Sequence, residues 1–169
     1  MMKRTLAVLV EDRPGVLTHV SGLISRRAFN IVSINAGYSE DIGLTRITVV
    51  VDVANTDELE QVINQISKLV DVITVVDLTG VSSIHRELAL IKVKASPAER
   101  PGLVDIVNIF RAKIVDVHPD SMVIEMTGEE DKIDAMCLLM SEMGIIEIVR
   151  TGRIAISRTN KSVKDMAQE

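Results

Sequence analysis

The segment Glu11-Asp12-Arg13-Pro14-Gly15-Val16-Leu17 holds the residue types best suited to recognising a small ligand. It lies where an apolar run of strand composition, Thr5 to Val10, gives way to Val16, Leu17, Val20, Leu23, Ile24 and Arg27 at helical spacing. The start of a helix presents N–H groups without intrahelical acceptors and a partial positive charge, and the two together seat a carboxylate. Gly15 has no side chain, so a ligand can come close to the backbone. Asp12 carries the charge that would meet an ammonium group, and Val16 and Leu17 offer an apolar wall. Carboxylate, ammonium and aliphatic group together describe a small apolar amino acid. A plainer reading is also open, in which Pro14-Gly15 opens a helix and Asp12 caps it. Asn30, just before the next strand, is either a turn residue or an amide near the same turn of a neighbouring chain.

Catalytic constellations are missing. His19, His85 and His118 have no metal-ligand spacing with one another or with Cys137. His19 reads as a partly exposed helix residue. Cys137 shares an apolar helical face with Met136 and Met140 and reads as a buried, inert thiol. Met136, Met140 and Met143 either fill core or serve a partner surface. No Gly-rich phosphate loop appears. Arg13 and Asn30 are the one pair that an acylphosphatase-like enzyme could use. Glu129-Glu130-Asp131 reads as an acidic helix start.

The elements that must hold these residues repeat. After the first helix come a strand at Ile31–Ile34, turn residues at Asp41-Ile42-Gly43, and a long strand at Leu44–Val53. Asn55 or Thr56 caps a helix carrying Leu59, Val62, Ile63, Ile66 and Leu69, and Val72–Leu78 closes the unit. The order is βαββαβ, a ferredoxin-like unit. Arg86-Glu87-Leu88-Ala89-Leu90 then echoes Arg4-Thr5-Leu6-Ala7-Val8, Arg100-Pro101-Gly102 echoes Arg13-Pro14-Gly15, and Ile114-Val115-Asp116-Val117 echoes Ile31-Val32-Ser33-Ile34. Lys113 stands where Asn30 would align, so the second unit lacks part of the candidate site. The expected class is α+β with two ferredoxin-like units in tandem: residues 1–78, a linker at 79–85, residues 86–158, and a disordered polar tail at 159–169. Strands such as Val49-Val50-Val51 are apolar at consecutive positions, so both faces should be covered. The unpaired edges invite side-by-side dimerisation of the first units.

Composition narrows the functions. Hydrophobic residues make up 47% of the 169 residues and aromatics 2%, so the core is aliphatic and stacking platforms for bases are lacking. The net charge is -5 and the basic residues are scattered, which disfavours nucleic acid. A single cysteine permits no internal disulfide and fits a reducing compartment. Thr5–Val10 is too short for a signal peptide, and no stretch approaches the roughly 18 apolar residues of a membrane span. A cytoplasmic protein is expected.

The ordered series of motifs is specific. Glu11 to Leu17, Arg26-Arg27-Ala28-Phe29-Asn30-Ile31, Leu44-Thr45-Arg46-Ile47-Thr48 and Gln65 to Val72 resemble an ACT domain of the acetolactate synthase small-subunit family. Arg86 to Val93, Ile109-Phe110-Arg111-Ala112-Lys113-Ile114-Val115-Asp116-Val117 and Glu147–Ser157 continue the resemblance to about Arg158. The resemblance implies a non-catalytic regulatory homodimer with effector-binding positions at Asp12, Gly15, Val16, Leu17, Asn30 and Ile31. It implies valine or a related amino acid as effector. It further implies a large catalytic subunit as partner, which carries thiamine diphosphate, magnesium and FAD; no cofactor is expected in this chain. The family often has Asn where this chain has Asp12. A carboxylate there either strengthens the ammonium contact or repels the ligand carboxylate. A free-standing ACT-type sensor acting on another enzyme or regulator is the alternative.

Overall fold

A computed structural model describes residues 1–27 and 29–166. The chain divides into two compact units, residues 1–84 with 153–169, and residues 85–152. The first contains β1 (Met2–Glu11), α1 (Val16–Arg26), β2 (Asn30–Tyr38), β3 (Leu44–Val53), α2 (Thr56–Ile66) and β4 (Val72–Asp77). All neighbouring strands are antiparallel, in the order β2-β3-β1-β4. Valine and isoleucine dominate these strands because a branched Cβ suits the pleated, packed surface. Leu6, Val8 and Val10 of β1 and Ile47, Val49, Val51 and Val53 of β3 point to one face. There they meet Val16, Val20 and Ile24 of α1 and Leu59, Val62 and Ile66 of α2, spaced to share one side of each helix. Asn55 caps α2 by accepting the Glu58 N–H at 2.9 Å. The helix ends at Ile66, so the expected Leu69 lies in the turn beyond it, still packed on the core.

The second unit repeats the pattern: β5 (Ser83–Lys94), α3 (Arg100–Ile109), β6 (Lys113–His118), β7 (Ser121–Gly128), α4 (Glu130–Met143) and β8 (Ile145–Arg150), in the strand order β6-β7-β5-β8. The duplication extends to the irregularities. Both β2 and β6 slip register at the same step, between Ile31 and Ser33 and between Ile114 and Asp116. Such bulges twist edge strands and blunt unwanted pairing. Met136 and Met140 are fully buried in the second core, so they fill space rather than face a partner. Cys137 is half-buried, not buried.

Two expectations fail. Residues 153–158, expected to close the second unit, belong to the first, where β9 (Ile154–Ser157) lies. The polar tail expected from residue 159 is not structureless through the described residues, since α5 (Val163–Met166) also belongs to the first unit, while residues 167–169 lie outside the described set. Ala155 and Val163 are buried with Ala7 and Leu78, and Val76 and Met166 pack alongside. Arg153 donates to Thr5 Oγ1 at 3.1 Å, and the Arg158 N–H donates to the Ser82 carbonyl at 2.8 Å. The returning segment therefore packs at Ala7 on the second face of the first sheet, a face on which Leu9 and Val50 are also buried. The consecutive apolar residues of the strands do have cover on both sides. The chain supplies it from its own C-terminal segment.

Candidate functional site

The turn after β1 is fixed by backbone before any side chain acts. The Asp12 N–H donates to the Gly43 carbonyl at 2.8 Å, which ties the turn to the hairpin between β2 and β3. Gly15 is the residue at the helix boundary, with φ +89°. That left-handed region is open to glycine and costly for residues with a Cβ. Asp12 does not cap α1, contrary to expectation. Its carboxylate instead accepts from Thr45 Oγ1 at 3.1 Å. Pro14 precedes the cap rather than opening the first turn.

The amide seat is present but differs from the expected one. Val16 N–H is spent on the Arg13 carbonyl at 3.3 Å. Among the described residues the N–H groups of Gly15, Leu17 and Thr18 make no hydrogen bond. A Cβ on Gly15 would meet nothing within 4 Å, so the space beside its α-carbon is open. Leu17 is 42% exposed and offers an apolar surface beside them, whereas Val16 is committed to the core. The rim is charged. Arg13 pairs with Glu11 at 2.8 Å and lies 4.0 Å from Asp71, and His19 Nδ1 lies 3.3 Å from Asp71 Oδ2.

Asn30 and Ile31 are elsewhere. Asn30 pairs with Asp52 in register and donates to its Oδ2 at 3.3 Å, while Ile31 packs on the core. Glu11 pairs with Leu44 at the other end of β3. Eight residues of strand separate Leu44 from Asp52, about 26 Å. One chain therefore brings Asp12, Gly15 and Leu17 together and leaves Asn30 and Ile31 at the far end of the sheet. The same separation, with Arg13 already paired to carboxylates, breaks up the Arg13–Asn30 pair that a phosphate-handling enzyme would need. Thr45, Gly43 and Asp71 hold the turn and were not legible as site residues; only strand register puts them there.

The second unit does not reproduce the seat. Arg100-Pro101-Gly102 matches Arg13-Pro14-Gly15 in type, but α3 starts at Arg100 and Gly102 lies inside the helix. Counting from Leu6 and Leu88 the offset between repeats is 82, and from Arg13 and Arg100 it is 87, so five extra residues precede the second Arg-Pro-Gly. They allow Ser96 to close the end: Ser96 N–H and Oγ both donate to Glu99 Oε2, at 2.9 and 2.6 Å. The second unit invests its charge in packing instead. Glu87, nearly fully buried, takes a bidentate contact from Arg150 at 2.7 and 2.9 Å, and Arg150 also reaches Asp134 at 2.7 Å. These bonds to Glu87 raise the guanidinium further above its ordinary value. Burial pushes the Cys137 thiol up, which disfavours the thiolate. Among the described residues no group of three or more His, Cys, Asp and Glu gathers to hold a metal ion, and no helix is long and apolar enough to cross a membrane.

Two βαββαβ units, the first with a glycine-opened amide turn, define a tandem ferredoxin-like protein of the ACT-domain class. Residues 6–74 match a model described as an AHAS small subunit-like ACT domain, and residues 86–159 match one described as the small subunit of acetolactate synthase. The acetolactate synthase small subunit of Bacillus subtilis is 45% identical over 93% of this chain and 91% of its own length. A chain of Archaeoglobus fulgidus, named a "probable acetolactate synthase small subunit", is 51% identical over 95% and 99%. The crystal structure of the Thermotoga maritima acetolactate synthase small subunit superposes with a TM-score of 0.87 at 36% identity, covering 95% of this chain and all of that one. The chain belongs to the acetolactate synthase small-subunit family.

Proposed function

We propose that this chain is a cytoplasmic regulatory subunit that stimulates the catalytic subunit of acetolactate synthase and makes it sensitive to valine in branched-chain amino-acid biosynthesis. Joining pyruvate to a second 2-keto acid belongs to the catalytic subunit, where thiamine diphosphate, magnesium and FAD supply the chemistry. This chain binds and transmits.

The observation that carries the reading is the register of β2. It is an edge strand, and antiparallel pairing with a second copy about Ile34 would set Asn30 of one chain opposite Tyr38 of the other. Tyr38 pairs with Thr45, and Thr45 holds Asp12. Dimerisation through β2 thus joins the two half-sites that one chain keeps about 26 Å apart. Valine would place its carboxylate on the Gly15, Leu17 and Thr18 N–H groups, with the Asn30 amide of the second copy beside it. Its isopropyl group would meet Leu17, and its ammonium would face Asp12. Binding one dimer arrangement ten times better than another shifts their balance by about 1.4 kcal/mol, which bounds what the ligand can transmit.

The test is acetolactate formation by the catalytic subunit of the same organism, with and without this chain, across a valine titration. Stimulation reversed by valine is expected. Asn30→Ala and Gly15→Asp should each weaken valine binding in calorimetry; normal affinity in either removes that residue from the site. Absence of stimulation with both proteins folded would favour a free-standing amino-acid sensor.

A further inference from the structure

A second ligand-sized space lies in the first unit, on the sheet face covered by the returning segment. A cavity of about 290 Å³ is walled by Arg46 and Glu40 on one side and by Ser157, Thr159, Asn160 and Lys161 on the other. Arg46 points to the same face as Leu9, its partner on β1. Its guanidinium is about half buried, yet its single hydrogen bond runs from Nη2 to a neutral acceptor, the Ala155 carbonyl, at 2.6 Å. Among the described residues no carboxylate lies within ion-pair distance of it. A guanidinium has five donors in a planar fork, and burying it without an anion is costly. Burial indeed pulls its pKa down, opposed by the more distant charge of Glu40. Lys161 adds a second cation to the wall. The loop is also braced: Ser157 and Thr159 hydroxyls are 3.0 Å apart, and Ser162 donates to Asp165 Oδ2 from both N–H and Oγ.

We propose that this cavity binds a small oxyanion, a phosphate or carboxylate group, seated on the unspent donors of Arg46 and neutralised further by Lys161. The fork suits a two-oxygen contact, and hydroxyl and amide donors of Thr159 and Asn160 line the remaining wall. The occupied cavity joins the hairpin that supplies Glu40 to the loop between β9 and α5, so an anion there fastens the C-terminal segment to the sheet. The site is independent of the valine seat, since it uses the opposite face and none of its residues.

The test is calorimetric titration of the full chain with inorganic phosphate, and separately with acetate, at ionic strength held constant with chloride. Saturable binding at one site per chain is expected for at least one probe, and the tighter of the two names the ligand's source. Arg46→Gln also removes the bond to Ala155, so Lys161→Ala serves as the second variant. Each should lower the affinity at least tenfold, while Lys132→Ala in the second unit leaves it unchanged. Binding no stronger than chloride, or binding that survives Lys161→Ala or Arg46→Gln, overturns the proposal.

Discussion

Replacing the glycine of each Pro-Gly pair by alanine should shift stability in opposite directions. Gly15 and Gly102 match in the Arg-Pro-Gly motif, and an added Cβ meets nothing within 4 Å at either. Contacts therefore cancel, and backbone conformation alone decides. Gly15 sits at φ +89° and ψ −9°, where an L-residue loses about 1–2 kcal/mol. Gly102 lies within α3, where alanine gains about 0.5–1 kcal/mol by losing less conformational freedom on folding. The two variants should differ by about 2 kcal/mol, roughly a thirtyfold ratio of unfolding constants. Urea unfolding followed by circular dichroism resolves this, with the Gly15→Ala loss in the transition of the first unit. For a chain of this size each kcal/mol moves the melting temperature by about 2–4 °C, so thermal scans provide a second reading. A neutral or stabilising Gly15→Ala, or a destabilising Gly102→Ala, would refute the assignment of the two turns to different conformations.

Two further outcomes follow from the second unit. Glu87→Leu strips Arg150 of its bidentate partner inside the fold and should cost about 3 kcal/mol in chemical unfolding, because an under-paired charge remains; a loss below about 1 kcal/mol would show that Asp134 and solvent suffice. Cys137 should react with iodoacetamide more slowly than free cysteine at mildly alkaline pH and catch up only as pH rises further, since its raised pKa leaves less thiolate. Ordinary reactivity in the folded protein, equal to that in urea, would contradict the burial assigned to it.

Most of the strand framework was legible because aliphatic runs and turn residues mark it. Leu44–Val53 coincides with its expected limits, and Asn55 caps as its side chain suggests. Three things were hidden. The C-terminal segment reads as polar because Arg158 to Ser162 are polar, while its attachment rests on isolated apolar residues, Ala155 and Val163, too few to show a period. The β1–α1 turn was legible through Gly15, but the distance between Asp12 and Asn30 is a property of register, which local sequence does not encode. The second Pro-Gly matches the first in residue identity, yet with five added residues before it the helix starts upstream of the glycine, a difference that the echo alone does not reveal.

The returning segment also sets an order of events during synthesis. Strands β1 to β4 are complete at Asp77, but the residues that pack on Ala7 and Leu78 come only at Ala155 to Met166. At typical translation rates the intervening stretch takes about 4–18 s, during which that apolar face has emerged without its cover. The second unit, residues 85–152, is contiguous in sequence and can close in the meantime. The first domain to begin folding is thus the last to finish, and a ribosome that stalls between the two units leaves an open sheet behind.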